Sequence, residues 1–350
     1  MDRQNKKTHR WESWPFKLIY FPLSFVWAYF IIRSRAVWFF TPSNPTITFG
    51  GLEGEPKREM YEQLPQHLYP ATFNVQPNEQ LDDILPRLRE NNIVFPFVVK
   101  PEVGWAGLLF RKIDTLRQLS EYHEKVKLEY IVQNLIQYPI EVSVFYYRMP
   151  NEKIGTISGF LHKVPLHVIG NGKSTLLQLI HEHPKTNDHF DVLNKVHNGN
   201  FNKIIPAGEK YPLSYAANHN RGAQFINLEH EIDNRLLKVF DKLSFQVSGW
   251  YYGRYDIMCS SVEDLKAGKN FEILEFNGAG AEPNHIYDSG YTLLEAYKEI
   301  LKHWKVLYKI SRYNHKQGIP YWSFNQGRKF LKDAKKHLAE MKRLEQELSF

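Results

Sequence analysis

The segments GRYDIMC (Gly253–Cys259) and FEILEFN (Phe271–Asn277) restrict this chain more than any other part of it. Both are rich in apolar and β-forming residues, which predicts strands. Side chains two residues apart in a strand share a face. Arg254 therefore shares a face with Asp256, and Glu275 with Asn277. The connection SSVEDLKAGKN reads as a turn short enough for the strands to pair, which brings the four polar side chains together. The flanking Ile257, Met258, Ile273, Leu274 and Phe276 are strongly apolar, so this is a polar face within a buried sheet, and such a face calls for a functional reason. Asp, Glu and Asn offer oxygen ligands, which suit magnesium held partly by substrate phosphates. Arg254 adds a fixed cationic fork for a phosphate or a developing oxyanion. The plainer reading is a hairpin whose polar side chains face solvent.

The remaining pattern is mixed α/β. A helix is expected from Lys57, and another within Asn78–Glu90, where Leu81, Ile84, Leu85 and Leu88 share a face. IVFPFVVKP reads as a short buried strand, GWAG as a turn and LLFRKI as the returning strand. A helix over Thr115–Glu124 and strands over Leu128–Leu135, Ile140–Tyr147 and Ile154–His162 follow. Ser174–Lys195 reads as mostly helical, INLEHEIDNRLLKVFDKLSFQV contains a helix, and the chain is helical from Tyr291. In the last helix Leu331, Ala334, Leu338, Met341, Leu344 and Leu348 form one stripe, for core packing or for docking a partner. With 43% hydrophobic and 24% charged residues, a wholly disordered or fibrous chain is excluded. The one cysteine, Cys259, excludes an internal disulfide, favours a reducing compartment and sits in an apolar run that suits a structural role.

The N-terminal segment FKLIYFPLSFVWAYFIIRSRAVWFF, residues 16–40, is apolar and aromatic. Its uncharged part, Leu18–Ile32, is shorter than the ~20 residues of a straight transmembrane helix, and Pro22 interrupts it. Arg33 and Arg35 close it, and no small-residue cleavage site follows, so it is not a secretory signal. Net charge is +7, with Arg3, Lys6, Lys7 and Arg10 ahead of this segment and a second basic run over Arg328–Arg343. Nucleic acid is one partner for such a balance, but basic flanks around Trp11, Trp14, Trp27, Tyr29 and Trp38 point instead to an anionic membrane surface. An interfacial or re-entrant anchor over residues 11–40 is expected, at the cytoplasmic face of the inner membrane. A helix packed on the domain is the alternative, and a single span stays open if Phe16 and the residues after Arg35 are drawn in.

VIGNGKST (Val168–Thr175) imitates a phosphate-binding loop. The G-x-x-x-x-G-K-[ST] pattern requires a glycine where this chain has His167, and Gly170 lies too close to Gly172 to form the same nest. The segment is instead a turn opening a helix, capped by Ser174 or presenting Lys173 and a helix N-terminus to a phosphate.

Asp256, Glu275 and Asn277, with Arg254 just before, resemble the metal ligands of the ATP-grasp superfamily, above all those of D-alanine–D-alanine ligase and other carboxylate–amine ligases. Upstream motifs resemble that family in the same order. FPFVVKP carries Lys100, similar to the family's phosphate-binding lysine, and Lys57 is similar to its other ATP lysine. EVGWAG, with Gly104 and Gly107, resembles its phosphate-covering loop, though it is short. YIVQNLI resembles the hinge strand whose backbone meets adenine, here Gln133, Asn134, Leu135 and Ile136, and Glu141 is similar to the acidic residue near the ribose. VIGNGKST is similar to a G-x-G-x-[ST] helix-opening turn of cyanophycin synthetase.

The resemblance, which spans Lys57–Tyr287, implies two α+β subdomains sandwiching ATP. It implies bound ATP with two magnesium ions, replaceable by manganese, and a ligase that activates a carboxylate as an acylphosphate and joins it to an amine. The substrates would be small or lipid-linked, with no nucleic acid, and a dimer is compatible. Arg254, Lys173 and Arg221 are the expected catalytic cations, Arg221 either as a clamp on a substrate carboxylate beside Asn220 or as a plain surface arginine. Glu282, His285 and Asp288 either read the second substrate or serve as turn and cap residues. The expected division is an anchor over 1–45, a reduced substrate region over 46–95, an ATP-binding part over 96–136, a catalytic part over 137–290 and helices over 291–350. A kinase on the same fold, or a non-catalytic nucleotide-binding scaffold, are the alternatives.

Overall fold

The computed structural model describes residues 11–348, apart from 187–189, 215–216 and 219–220. The basic cluster at residues 3–10 and Asn220 therefore lie outside the described residues. Two short helices open the chain, α1 (Phe16–Tyr20) and α2 (Ser24–Ser34), broken around Pro22. Helix α2 stops at Arg35, whose left-handed φ of 51° ends the hydrogen-bond ladder. Helix α3 (Lys57–Tyr61) begins after Pro56, whose fixed φ and missing N–H suit a helix start.

The first layer is an antiparallel sheet of β1 (Thr72–Val75), β2 (Phe97–Pro101), β3 (Arg111–Ile113) and β4 (Tyr130–Asn134), in the order β1-β4-β2-β3. Helices α4 (Leu81–Glu90) and α5 (Leu116–Lys125) cover it, burying Ile84, Leu88, Leu119 and Tyr122 against Val99 and Val132. A capping box of Thr115 with Gln118 starts α5. Strand β1 and α4 belong to this layer, so the expected boundary at residue 96 falls inside one core and not between two parts.

The second layer starts with β5 (Ile140–Tyr147) and β6 (Thr156–Val164). A small hairpin-like pair follows, β7 (His167–Ile169) and β8 (Lys210–Pro212), separated by α6 (Leu176–Glu182) and α7 (Phe190–His197). Then come β9 (Gln224–Asn227), α8 (Asn234–Gln246), β10 (Tyr252–Cys259), α9 (Val262–Lys266) and β11 (Phe271–Asn277). The five main strands order as β11-β10-β5-β6-β9, and α8 packs Leu236, Phe240 and Leu243 on Val144, Tyr255 and Ile257. The connection expected to be a turn between β10 and β11 holds α9, because Ser261 caps the backbone N–H of Asp264. In VIGNGKST the cap is Thr175, paired with Gln178 in a capping box, and not Ser174. Ser174 instead donates its N–H to Asn171 Oδ1.

The last helices are α10 (Leu293–Lys316) and α11 (Phe324–Glu347). The stripe of α11 is a core face: Met341 and Leu344 join the core of the first layer. Helices α1 and α2 dock one face on α10, where Ile19 and Leu23 meet Ile300 and Phe30 stacks on Tyr308 at 4.5 Å. Their other face leaves Phe16, Leu18, Phe21, Phe25, Tyr29 and Ile32 exposed. No helix among the described residues is long and apolar enough to cross a membrane. At 11 residues α2 is roughly 16 Å long, about half a hydrocarbon core, so the single-span option is excluded for this segment as folded.

Candidate functional site

A cavity of about 1080 Å³ lies between the two layers, and the residues that converge on it come from both. Strand pairing fixes its acidic end. Arg254 is opposite Asn277 and Asp256 opposite Glu275, so the four side chains meet as strand alternation requires. One extra residue, Leu274, then bulges from β11, which lets Leu274 line the cavity beside Glu275 when plain alternation would send it to the other face. Asp256 is buried and held by Arg254 Nε and Nη2 at 3.2 Å each and by Lys163 Nζ at 2.9 Å. Burial works to raise its pKa, but the two cations win and hold it at about 2. Lys163 also reaches Glu141 at 3.3 Å, yet burial pushes Glu141 up to about 7.

The opposite wall is cationic. Lys100 rises from β2 with Nζ 3.3 Å from Tyr61 Oη. Lys57, at the start of α3, donates to Pro101 O at 3.1 Å, and an added Cβ on Gly104 would lie 2.6 Å from its Nζ. Burial lowers both lysines, Lys100 to about 8. Glu275 and Glu102 pull the other way without offsetting that loss, so an anionic ligand would restore the charge of both lysines. Glu55, on the same side, has one carboxylate oxygen without a hydrogen-bond partner among the described residues, and burial raises it to about 7.

An apolar slot, formed by Val98, Leu135, Ile136, Met258 and Leu274, joins the two walls. Of the four hinge residues, Gln133 and Asn134 have their backbones inside the first sheet, and Asn134 N donates to Ala71 O at 2.9 Å. The Gln133 side chain is spent on Tyr61 Oη and Thr72 Oγ1. Among the four, Leu135 and Ile136 lie beyond the strand end, which moves the backbone available to a planar ligand C-terminally from where the motif suggested. The loop after β2 brings Gly104, Trp105, Ala106 and Gly107 over the cavity, with Ala106 and Gly107 at positive φ.

Other expected site residues lie elsewhere. Arg221 donates to Ala106 O and Gly107 O, so it fastens that loop and does not point at a substrate carboxylate. Lys173 is exposed on the β7–α6 turn and does not line the cavity. Asp288 accepts from Lys185 Nζ at 2.9 Å and from Phe225 N at 3.0 Å, outside the cavity. His285 is buried flush against Gly159, where an added Cβ would lie 2.1 Å from its Nδ1. Its Nε2 faces Glu299 at 3.6 Å, and His303 Nε2 lies 3.0 Å from the same oxygen. This His–Glu–His cluster packs behind the cavity wall, and of the three only His303 reaches the cavity. Glu282 does line the cavity and accepts from Tyr20 Oη at 2.6 Å, while its carbonyl faces Arg254 Nη1 at 3.5 Å.

Sequence reasoning missed Lys163, Glu55 and the aromatic end of the cavity. Lys163 had a signal, since a lysine directly after the strand expected over Ile154–His162 extends that strand's alternation into the core. Glu55 and the contact of α1 with Glu282 had none, because they depend on how distant segments pack.

No protein-family model and no curated protein matches the chain. Among solved structures, D-alanine–D-alanine ligase from Bacillus anthracis is similar, with 12% identity, a TM-score of 0.40, and an alignment covering 73% of this chain and 68% of that one. VanG D-Ala:D-Ser ligase from Enterococcus faecalis gives 12% identity and a TM-score of 0.38, over 76% of this chain and 60% of that one. A bifunctional glutathione synthetase from Pasteurella multocida gives 13% and 0.37, over 70% of this chain and 36% of that one.

Proposed function

We propose that this chain is an ATP-grasp carboxylate–amine ligase that forms ADP. One observation carries the reading: two half-buried lysines, Lys100 from the first sheet and Lys57 from α3, line the same cavity as an oxygen cluster from the second sheet, together with a set of apolar side chains. That is the layout a nucleoside triphosphate needs, with its base in the slot and its phosphates between cations and metal. Asp256, Glu275 and Asn277 fit magnesium by donor type, and the unpartnered Glu55 oxygen leaves a further acceptor on the cavity. Bound there, magnesium would neutralise phosphate charge. Lys57 and Lys100 would hold the phosphates, and Arg254 would face the reacting carboxyl group.

In the proposed reaction a substrate carboxylate oxygen attacks the γ-phosphorus, the bond to the β-bridging oxygen breaks and ADP leaves. An amine nitrogen then attacks the acyl carbon, the bond to the phosphate-bearing oxygen breaks, inorganic phosphate departs and the amine gives up a proton. ADP release measured across carboxylates and amines, with hydroxylamine as a trap, tests this. A hydroxamate supports the ligase. ADP formed without a hydroxamate, alongside a phosphorylated alcohol, would identify a kinase, and no binding of Mg·ATP at millimolar ligand overturns both readings.

We place the enzyme at the cytoplasmic face of the inner membrane, acting on a lipid-linked or envelope-related substrate. Support comes from the exposed face of α1 and α2, where Phe21 and Phe25 are 68% and 69% exposed and Lys17, Arg33 and Arg35 flank the patch. Apolar side chains ringed by cations match an anionic bilayer surface. Removing residues 1–40 would also strip Phe30, Phe39 and Phe40 from the core, so the informative variant is Phe21→Glu with Phe25→Glu. It should abolish flotation with phosphatidylglycerol-containing vesicles and leave thermal stability unchanged. Equal flotation of variant and wild type would refute the placement.

A further inference from the structure

The cavity does not end at Arg254. Beyond it the walls change from charged to aromatic, with Tyr20 and Trp27 from the N-terminal helices facing Ile300 and Trp304 from α10. The rings form one run: Phe16 stacks on Tyr20 at 4.1 Å, Tyr20 lies 6.1 Å from Trp304, and Trp304 lies 4.9 Å from Trp27. The run is tied to the reacting end through Glu282, which takes the Tyr20 hydroxyl at 2.6 Å while its carbonyl faces Arg254. At its other end Phe16 is both a cavity wall and 62% exposed, so this arm opens on the surface that carries Leu18, Phe21 and Phe25.

We infer that this aromatic arm seats a hydrocarbon chain, so that one of the two substrates is an amphipathic lipid that enters from the bilayer with its polar, reactive head at Arg254. The inference rests on the ligase reading and names its substrate class. Three observations meet in it. The cavity, about 1080 Å³, is at the top of the usual range for one ligand of drug size, roughly 300–1,000 Å³, which leaves room beyond the nucleotide. The arm is walled mainly by rings and an aliphatic side chain, and of the polar groups beside it Tyr20 and Glu282 are engaged with each other and His303 Nε2 with Glu299. Finally, the mouth lies on the face proposed to meet the membrane, so a chain could pass from lipid to cavity without crossing water.

The test uses the full-length protein and two series, n-alkyl carboxylates and n-alkylamines of increasing length, with Mg·ATP titrated in parallel. One series should tighten about three- to fourfold per added methylene until the arm is filled, then level off. A chain brominated near its end should quench tryptophan fluorescence, and Trp27→Glu should weaken binding of the longer chains by tenfold or more while Mg·ATP binding persists. If Trp27→Glu fails to fold, the chain-length series and the quenching in the wild type still decide. Mg·ATP binding with no dependence on chain length, or with no quenching, overturns the chain site and leaves the ligase standing. Loss of Mg·ATP binding in the wild type removes the ligase reading, and the inference with it. The carboxylate or amine series that responds identifies which substrate carries the chain.

Discussion

The two ends of the cavity are made from different materials. The charged end is built of paired strands that hold charges at fixed spacing, and Asp256 touches both Arg254 and Lys163. The aromatic end is built of helices from opposite ends of the chain, and it holds shape with rings. A buried charge must be matched almost atom for atom, because an unpaired one costs several kcal/mol. An aromatic wall needs only volume and closeness. The first kind of end should therefore fail abruptly on substitution, and the second by degrees.

The largest effect is expected where charge matching and chemistry coincide. Asp256→Asn and Glu275→Gln should each cut turnover by about a thousandfold or more, the scale of losing an electrostatic anchor for the reacting phosphate. Their stabilities should differ. Asp256→Asn leaves Arg254 and Lys163 facing each other and should cost roughly 3 kcal/mol. The Glu275 carboxylate makes no hydrogen bond or close ion pair among the described residues, but its charge supports Lys57, Lys100 and Arg254 nearby, so Glu275→Gln should cost less than Asp256→Asn, about 1 kcal/mol. Denaturant melts beside turnover assays check both, and full activity in either variant would remove it from the metal site.

Next in size is Lys100. Burial lowers its pKa to about 8, so the unliganded protein should bind nucleotide less well as pH rises through about 8 and the ammonium is lost. Lys100→Met should weaken Mg·ATP by roughly 10- to 100-fold near neutrality, the range of one charge-assisted hydrogen bond, and flatten that pH dependence. Lys100→Arg should keep the charge at all these pH values. Calorimetric titration from pH 7 to pH 9 separates the three.

How much of this was legible follows from the range of each interaction. Arg254, Asp256, Glu275 and Asn277 could be grouped from sequence because their convergence needs only strand alternation and one pairing. Leu274 broke the pattern because a bulge is a property of the pair of strands and not of either alone. Lys173 and Arg221 were read as site cations from glycine-rich surroundings, but a glycine turn fixes local backbone and not distance from a cavity formed by other segments. The N-terminal segment was read from composition as apolar. Only the fold shows that one of its faces is committed to α10, where Phe30 meets Tyr308, and that the other is free.

A smaller effect tests the Lys163 pairing. Burial raises Glu141 from its ordinary range to about 7, against the pull of Lys163. The folded protein therefore holds a proton there that the unfolded chain releases near pH 4.5. The stability this contributes is complete below about pH 4.5 and is lost as pH rises through about 7, a change on the order of 1–3 kcal/mol. Glu141→Gln cannot titrate and should flatten that part of the stability–pH curve. Asp256 still holds Lys163 in the variant, so the lysine is not stranded. An unchanged slope between pH 4.5 and 7 would show that Glu141 is ionised in the fold.

The smallest effect belongs to the aromatic frame and has opposing parts. Gly327 lies in α11, where an added Cβ would sit 2.2 Å from Trp38 Nε1. Replacing a helix-interior glycine by alanine ordinarily stabilises by about 1 kcal/mol. Overpacking a filled site costs about 1–3 kcal/mol, and which effect wins depends on whether Trp38 can move. Its indole N–H donates to Phe324 O at 3.2 Å, and its ring lies among Phe40, Phe49 and Phe324 at 5.4–6.5 Å, so it has little room. Gly327→Ala should therefore lose about 1 kcal/mol net, a fall of roughly 1–2 °C in Tm. Trp38→Phe removes the crowded nitrogen and makes space for the methyl group. In that background the same substitution should be neutral or stabilising, and the change of sign, read in a double-mutant cycle, separates a steric wall from a loss of helix packing.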